Sequence, residues 1–301
     1  MKELKKIIKN NNVNEKLLVN FNKQLKDEKF KSFVDLLGLS YEELSKYTSI
    51  LVDSSEEYYH CKNCKSILEC KNKITGHAYL PEVKNNTLNF CYKKCRYKQE
   101  IDDKNKYLNN VYTFDIPEEI KMADLKEIYK EDKNRHKVIK YIGLFIKNYQ
   151  NDKNQKGLYL YGNFGCGKTY LISAMLNELA KKNIKSAIIF WPEYLRMLKA
   201  SFNTNEFNNI FNKIKEIPIL LIDDIGAENI TAWSRDEILC SILQYRMEEH
   251  LPTFFTSNLD LDALEKHLSI NGTSDIKARR IIERIKQLTN TEEMISKNLR
   301  K

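Results

Sequence analysis

The chain has 301 residues, of which 42% are apolar and 30% are charged, and these proportions are typical of a globular protein with room for two domains. The formal net charge is +9, which reflects either a compositional bias toward lysine or an anionic partner, so charge alone does not establish nucleic-acid binding. No segment has the apolar length of a membrane span, and the first twenty residues lack a secretory signal, so we expect a cytoplasmic protein without membrane contact.

The first 60 residues have the apolar spacing of amphipathic helices, most clearly over residues 30–51. Ser40 and Glu43 have the spacing of a capping box, so a helix is predicted to begin beside them. We interpret this part as a small helical bundle with no chemistry of its own, one face of which is available to a partner.

A cluster of cysteines follows. Five of the seven cysteines lie between Cys61 and Cys95, and because cytosolic thiols are mostly reduced, a metal site explains the cluster better than disulfides or free thiols do. Cys61 and Cys64 form a C-x₂-C pair of the kind that binds Zn²⁺. The further candidate ligands are Cys70, His77, Cys91 and Cys95. Their spacing leaves the ligand set open, and a filled four-ligand site would be structural.

Residues 96–110 are densely charged and poor in apolar residues, which is typical of a helical extension or a solvated linker. We therefore predict an N-terminal helical and zinc-binding domain over residues 1–100, a linker over residues 101–111 and a second domain over residues 112–301.

The pattern changes after this linker, where short apolar runs alternate with segments of helix length. Such runs are typical of strands buried on both faces of a parallel sheet. They are Gly157–Tyr161, Ser186–Trp191, Ile217–Ile222 and Pro252–Thr256. The predicted fold class is therefore α/β, with a parallel sheet of the nucleotide-binding type.

Residues Gly162–Thr169, GNFGCGKT, match the phosphate-loop pattern G-x-x-x-x-G-K-[ST] at every fixed position. The match stands between a predicted strand and an amphipathic helix, the context that such a loop requires. Glycines let backbone N–H groups surround phosphates, and the helix N-terminus adds positive partial charge. We predict that Lys168 contacts the β- and γ-phosphates of ATP and that the Thr169 hydroxyl binds Mg²⁺.

Polar residues follow two of the later strands. Asp223 and Asp224 end an apolar run one strand after the phosphate loop. Asp223 is therefore predicted to hold Mg²⁺, and Asp224 to orient or deprotonate the attacking water. Glu228 is a weaker candidate for the second role. A plain turn is the alternative reading of the two aspartates. Asn258 follows the strand PTFFTS and is predicted to position the water.

Two late arginines, Arg280 and Arg284, are four residues apart and share one helix face. An arginine placed at a neighbouring subunit's γ-phosphate would stabilise charge in the transition state. The alternative is a solvated helical face with an ion pair to Glu283.

Together these motifs resemble one known family. The segments YGNFGCGKT, LLIDDIGAE, AWSRDEILCSILQYRM, PTFFTSN and KARRIIERI look like those of the AAA+ replicative helicase loaders of bacteria with low-GC genomes. The resemblance covers residues 112–290 well and continues with weaker motifs through the cysteine cluster. It implies an AAA+ ATPase that loads the hexameric replicative helicase onto single-stranded DNA during primosome assembly, with self-assembly in the presence of ATP and contacts to other primosome proteins.

The resemblance also implies a role for each motif residue. Asp223 and Asp224 would be the Walker B pair, Asn258 the first sensor, and Arg284 the arginine finger. The residues implied to contact the nucleotide are Gly162, Asn163, Phe164, Gly165, Cys166, Gly167, Lys168, Thr169, Tyr170 and Arg280. The second acidic residue is Asp where most AAA+ proteins have Glu, and from this shorter carboxylate we expect slow ATP hydrolysis. Only 43 residues follow Asn258, so the helical lid is expected to be reduced.

In this family the N-terminal domain binds one zinc ion through three Cys and one His and docks on the helicase. By resemblance, the ligands here would be Cys61, Cys64, His77 and Cys95, with Cys70 and Cys91 as alternatives. Basic residues after the second predicted strand, Arg196, Lys199 and Lys213, are candidates for contacting DNA.

Two other functions are considered. A transposition-helper ATPase would share the AAA+ motifs but usually lacks a zinc domain, so the cysteine cluster argues against it. A small-molecule P-loop kinase would need a substrate pocket and lid arginines within one subunit. The two aspartates after the strand, Asn258 and the late arginines fit ATP hydrolysis between subunits better.

Overall fold

A computed structural model describes residues 14–84, 87–204, 206–270 and 276–299 of the chain. Residues 1–13, which belong to the region predicted to be helical, lie outside the described residues. The chain divides into two compact units, Met1–Lys106 and Tyr107–Lys301. None of the described helices is long and apolar enough to cross a membrane.

The first unit begins with helices, as the apolar spacing predicts. Residues 14–24 are helical, and three further helices follow: α1 (Glu28–Asp35), α2 (Tyr41–Ser45) and α3 (Thr48–Asn63). The capping box at the start of α2 is confirmed, because the Ser40 N–H donates to the Glu43 carboxylate (3.1 Å) and the Ser40 hydroxyl accepts from the Glu43 N–H. A buried apolar cluster joins these helices, and its members include Phe21, Phe30, Phe33, Val34, Leu44 and Leu51.

A β-hairpin completes the first unit and was not predicted. Strands β1 (His77–Lys84) and β2 (Thr87–Lys94) pair antiparallel, and helix α4 (Arg96–Lys104) follows. Leu88 joins the apolar cluster of the helices. The buried Glu57 carboxylate on α3 accepts from the Tyr79 N–H (2.6 Å), which fixes the hairpin to the helices.

The second unit is built on a six-stranded sheet whose strands are all parallel, in the order β3-β5-β6-β7-β4-β8. The α/β fold class with a parallel sheet is therefore confirmed. Its strands are β3 (Val111–Phe114), β4 (Gly157–Tyr161), β5 (Ser186–Phe190), β6 (Ile219–Asp223), β7 (Thr253–Ser257) and β8 (Thr289–Glu293). Its helices are α5 (Glu118–Lys121), α6 (Lys133–Asn148), α7 (Lys168–Ala180), α8 (Trp191–Ala200), α9 (Phe207–Glu216), α10 (Cys240–Glu248), α11 (Leu261–Leu268) and α12 (Ile276–Leu288). A π-helical stretch, Trp233–Leu239, leads directly into α10.

Both faces of this sheet are covered, which explains why its central strands are apolar throughout. Successive strand residues point to opposite faces, so Leu158 belongs to one buried cluster and Tyr159 to the other. In the same way, Phe254 belongs to the first cluster and Phe255 to the second. Because all six strands are parallel, the residues that follow β4, β6 and β7 meet at one edge of the sheet.

Arg246, on α10, is fully buried and joins the beginnings of two strands. Its guanidinium donates to the carbonyls of Ile217 (2.7 Å) and Pro252 (2.8 Å) and to the Thr253 hydroxyl (2.7 Å). Removing this side chain leaves buried carbonyls without a donor, and such groups are costly.

We therefore expect Arg246→Ala to lower the free energy of unfolding by about 3 kcal/mol. Denaturant unfolding followed by tryptophan fluorescence measures this, because both tryptophans lie in the second unit. The control is Arg196→Ala, which removes an exposed arginine and should change the free energy by less than about 0.5 kcal/mol. Equal effects of the two substitutions would contradict the structural role of Arg246.

Candidate nucleotide-binding site and cysteine cluster

The predicted phosphate loop lies between β4 and α7, at the carboxyl edge of the sheet. Its backbone needs glycine at Gly162, where φ is +145° and a Cβ would stand 2.1 Å from the Met294 carbonyl oxygen. Gly167, with φ +85°, precedes the first residue of α7. The helix therefore begins inside the loop, so its N-terminal partial charge is directed at whatever the loop binds.

The loop lysine is buried and its ammonium group donates to several acceptors. Lys168 Nζ donates to the carbonyls of Gly162 and Asn163 and to the Asn258 side-chain oxygen, each at 2.9 Å. The Asn258 side-chain nitrogen in turn donates to the Asp224 carboxylate (3.1 Å). One amide thus joins the loop lysine to the second acidic residue, and the structure brings these three predicted residues together.

A second contact joins the loop to the first acidic residue. The Thr169 hydroxyl donates to Asp223 Oδ1 (2.6 Å), and the Thr256 hydroxyl donates to the same oxygen (2.5 Å). Burial raises the pKa of the Asp223 carboxyl above its usual value, although the two hydroxyl bonds act in the opposite direction. The Thr169 hydroxyl and the Asp223 carboxylate provide hard oxygen atoms close enough together to bind one small cation. Mg²⁺ prefers such oxygen ligands, so this pair suits it. Thr256 is a residue of this site that the sequence motifs do not indicate.

Asp224 is held in an uncommon conformation. Its φ is +59°, and its N–H donates to the Thr256 hydroxyl (3.0 Å). Non-glycine residues with positive φ are strained and concentrate at functional sites. Its rival Glu228 is buried, accepts from the Gly226 N–H (2.7 Å) and does not line the cavity beside the loop. The geometry therefore favours Asp224 for contact with a reacting water.

The loop lysine, Thr169, the two aspartates, Thr256 and Asn258 line a cavity of about 1420 Å³. Part of its wall comes from the segment before α6, including Tyr129, and from Leu299 near the C-terminus. Phe164, 67% exposed, and Tyr170, whose hydroxyl donates to Glu127 (3.3 Å), also line it. Its size is sufficient for a nucleoside triphosphate.

Arg135 lines the same cavity and was missed by the sequence analysis. It lies on α6, is 1% exposed, and donates from Nη1 to the Cys166 carbonyl inside the phosphate loop. Burial lowers the pKa of its guanidinium. Its spacing from Val138 and Ile142 places it on the apolar face of α6, and an arginine on an apolar face is a signal that could have identified it.

The C-terminal segment, residues 294–299, packs against the phosphate loop. The Asn163 side chain donates to the Ser296 carbonyl (2.7 Å) and accepts from the Ser296 N–H (3.1 Å). The Leu299 N–H donates to the Gly165 carbonyl (2.8 Å). The loop is therefore held on its outer side by residues more than a hundred positions later in the chain.

Neither late arginine lines this cavity. Arg280 is exposed on α12, and half-buried Arg284 donates to the Cys240 carbonyl (3.2 Å). Within one subunit the two arginines are thus not brought to the phosphate loop, and their roles stay predictions.

The cysteine cluster of the first unit is arranged differently from the predicted ligand set. The sulfur-bearing residues Cys61, Cys64, Cys70 and Cys95 line one cavity of about 170 Å³, whereas His77 and Cys91 do not. The His77 ring lies with Nδ1 3.1 Å from the Thr75 carbonyl. Cys91 is in β2, opposite Leu80. Among the described residues, no three His, Cys, Asp or Glu side chains are close enough together to hold a metal ion, so the predicted site is not assembled.

Hydrogen bonds to three of the four cysteine sulfurs nevertheless suit thiolates, whereas the Cys64 thiol donates to the Ser66 carbonyl (2.9 Å). Three sulfur atoms accept N–H bonds: Cys61 from the Asn72 amide (3.2 Å), Cys70 from Gly76 (3.3 Å) and Cys95 from Lys98 (3.5 Å). Burial raises the pKa of the Cys61 thiol. The donor set fits zinc in chemistry, with Cys70 as a fourth sulfur where His77 was predicted.

We expect Asn163→Ala to release the C-terminal segment from the phosphate loop, because both bonds to Ser296 are lost. Hydrogen exchange of the Ser296 amide should become about tenfold faster. Asn154→Ala, which removes an exposed asparagine amide elsewhere in the unit, is the control and should leave this exchange unchanged. Unchanged exchange in Asn163→Ala would mean that other contacts hold the segment.

Comparison with known proteins identifies the second unit. The family described as the bacterial DnaA ATPase domain matches residues 134–270. A solved structure of DnaI has 43% sequence identity and a TM-score of 0.58, and covers 65% of this chain and 100% of its own. A primosome component from Streptococcus pyogenes has 32% identity and a TM-score of 0.56, over 65% of this chain and 98% of its own. The second unit is an ATPase domain of the AAA+ type.

The relationship extends beyond that unit. The replicative helicase loader DnaI of Bacillus subtilis strain 168 is 34% identical over 245 residues, which are 80% of this chain and 79% of that protein. The chain therefore belongs to the DnaI family of replicative helicase loaders.

Proposed function

We infer that this protein loads a replicative DNA helicase onto single-stranded DNA and that ATP controls the process. The observation that carries this inference is the meeting of Lys168, Thr169, Asp223, Asp224 and Asn258 at one sheet edge, in a chain of the helicase-loader family. Family membership does not favour the transposition-helper or small-molecule kinase alternatives.

In this proposal each site residue has a distinct task. Mg²⁺, held by Thr169 and Asp223, would neutralise charge on the β- and γ-phosphates. Lys168 exchanges its bonds to loop carbonyls for bonds to phosphate oxygens. Asp224 accepts the proton of the attacking water, and Asn258 orients that water while holding Asp224 in place. Because the short Asp224 side chain is already tied to Asn258, hydrolysis should be slow, and ATP acts mainly as a switch between assembly states.

We propose that Arg284 acts on the ATP of a neighbouring subunit and that Arg280 also faces nucleotide. Their position on α12 supports this, since they do not line the cavity of their own subunit. A second subunit is then needed to complete the site, so ATP should promote self-assembly.

Single-stranded DNA is proposed to bind beside α8 and α9. Lysines lie beside aromatic rings there. Lys199 Nζ is 5.4 Å from the centre of the Trp233 ring, and Lys213 Nζ is 3.5 Å from the centre of the Tyr112 ring. The Phe202 side chain is 52% exposed. Exposed rings stack on bases of any sequence, and lysines contact the phosphates.

The N-terminal domain, residues 1–100, is proposed to bind one zinc ion and to dock on the helicase, with residues 101–111 as the linker to the ATPase domain. The convergence of Cys61, Cys64 and Cys95 on one cavity supports the zinc proposal. Cys70 is supported as fourth ligand by the same cavity. His77 is supported by resemblance and by its Nδ1 contact, which leaves Nε2 available to a metal.

Helicase loading is tested with the purified protein, its cognate hexameric helicase and circular single-stranded DNA. With ATP, we expect a large loader–helicase complex by sizing and the appearance of helicase on DNA. Lys168→Ala should lower the loaded helicase at least tenfold, since the phosphate contact is lost. Lys182→Ala, at an exposed lysine of the same unit, should load normally. Normal loading by Lys168→Ala would refute the proposal.

Zinc is tested by measuring the metal content of the purified chain. We expect one zinc per chain, and a loss of most of it in Cys61→Ser and Cys95→Ser, because each removes a thiolate ligand. Comparison of Cys70→Ser with His77→Ala identifies the fourth ligand as the one whose loss lowers zinc content. A metal-free wild-type protein, or full zinc content in Cys61→Ser, would contradict the proposed site.

A further inference from the structure

Arg135 is a buried charge with little to compensate it. Its side chain is 1% exposed, and its Nε has no hydrogen-bond partner. Within the part of the chain that the structure describes, Arg135 forms no ion pair, although the Asp132 carboxylate acts on its charge from a distance. The nearby Asp132 caps α6 instead, by accepting from the Asn134 N–H (2.9 Å). A guanidinium stays protonated when buried, so its charge needs an anion to offset the loss of water.

The surroundings of Arg135 add further positive charge. Its Nη1 and Nη2 lie 3.3 and 3.4 Å from the point that a Gly167 Cβ would occupy, at the N-terminus of α7. That helix end carries positive partial charge, and Lys168 is the next residue. A buried cation beside a helix N-terminus and a lysine is unfavourable unless an anion binds among them.

The same guanidinium also shapes the loop. Its Nη1 donates to the Cys166 carbonyl, so this carbonyl is directed toward α6. A loop binds phosphate with its N–H groups, and its carbonyls must therefore be held by donors elsewhere. Arg135 is such a donor, and it lines the cavity in which a triphosphate would lie.

We propose that Arg135 is a positioning residue for the triphosphate, which it serves by holding the Cys166 carbonyl and by supplying a buried positive charge behind the phosphate loop. The missing counter-anion of Arg135 is then the nucleotide itself. This inference rests on the proposed binding of ATP at the site, and it adds a cation from α6 to the lysine of the loop.

The test compares Arg135→Met and Arg135→Lys with the wild-type chain. Affinity for ATP and ADP is measured by titration calorimetry, and the unfolding temperature is measured with and without ATP. Arg135→Met should bind both nucleotides about tenfold more weakly, because the charge is lost. Arg135→Lys keeps the charge and should stay within about threefold of wild type. Lys137→Met, at an exposed cation on the same helix, should bind as wild type does.

The unfolding temperature separates this role from a purely structural one. If Arg135 serves the nucleotide, Arg135→Met should still fold without nucleotide, and added ATP should raise its unfolding temperature less than that of the wild-type chain. An Arg135→Met protein that fails to fold, or that gains as much unfolding temperature from added ATP as the wild-type chain does, would overturn the proposal. So would wild-type ATP affinity in that variant, or no recovery in Arg135→Lys. A wild-type chain that does not bind ATP would instead refute the proposed function.

Discussion

The side-chain amide of Asn258 joins the lysine of the phosphate loop to the second acidic residue, and the rest of the site depends on this link. It exists because β4, β6 and β7 are parallel neighbours whose carboxyl ends meet at one edge. Lys168 begins a helix after β4, Asp224 follows β6, and Asn258 follows β7. Sheet topology alone brings together groups that are up to 90 positions apart in the chain.

The loop itself is stabilised from outside this edge. Arg135 holds the Cys166 carbonyl from the helix before the loop, and the C-terminal segment holds Asn163 and the Gly165 carbonyl. Two loop carbonyls, those of Gly165 and Cys166, therefore have donors from outside the loop and do not compete with its N–H groups for a bound anion. Changes at the C-terminus of the chain can therefore affect the loop, although the segment carries no motif of its own.

Much of this organisation could be predicted from the sequence, because its cause is local. The four central strands are apolar runs, since they are buried on both faces, and the phosphate loop has fixed glycines. Strand β8, TNTEE, is polar and pairs only at the sheet edge, so its pattern does not indicate a strand. The hairpin of the first unit and the C-terminal segment depend on contacts between distant residues, which spacing does not reveal. The fourth ligand beside Cys61 stayed open for the same reason.

We propose that this sheet edge holds the magnesium complex of ATP, with the metal shared by Thr169 and Asp223. The most direct measurement is the dissociation constant of ATP for the wild-type chain in Mg²⁺ and in EDTA. We expect ATP to bind at least about tenfold more weakly without Mg²⁺, because the two oxygen ligands then have no cation to share with the phosphates. Absence of ATP binding in Mg²⁺, or equal affinity in both solutions, would contradict it.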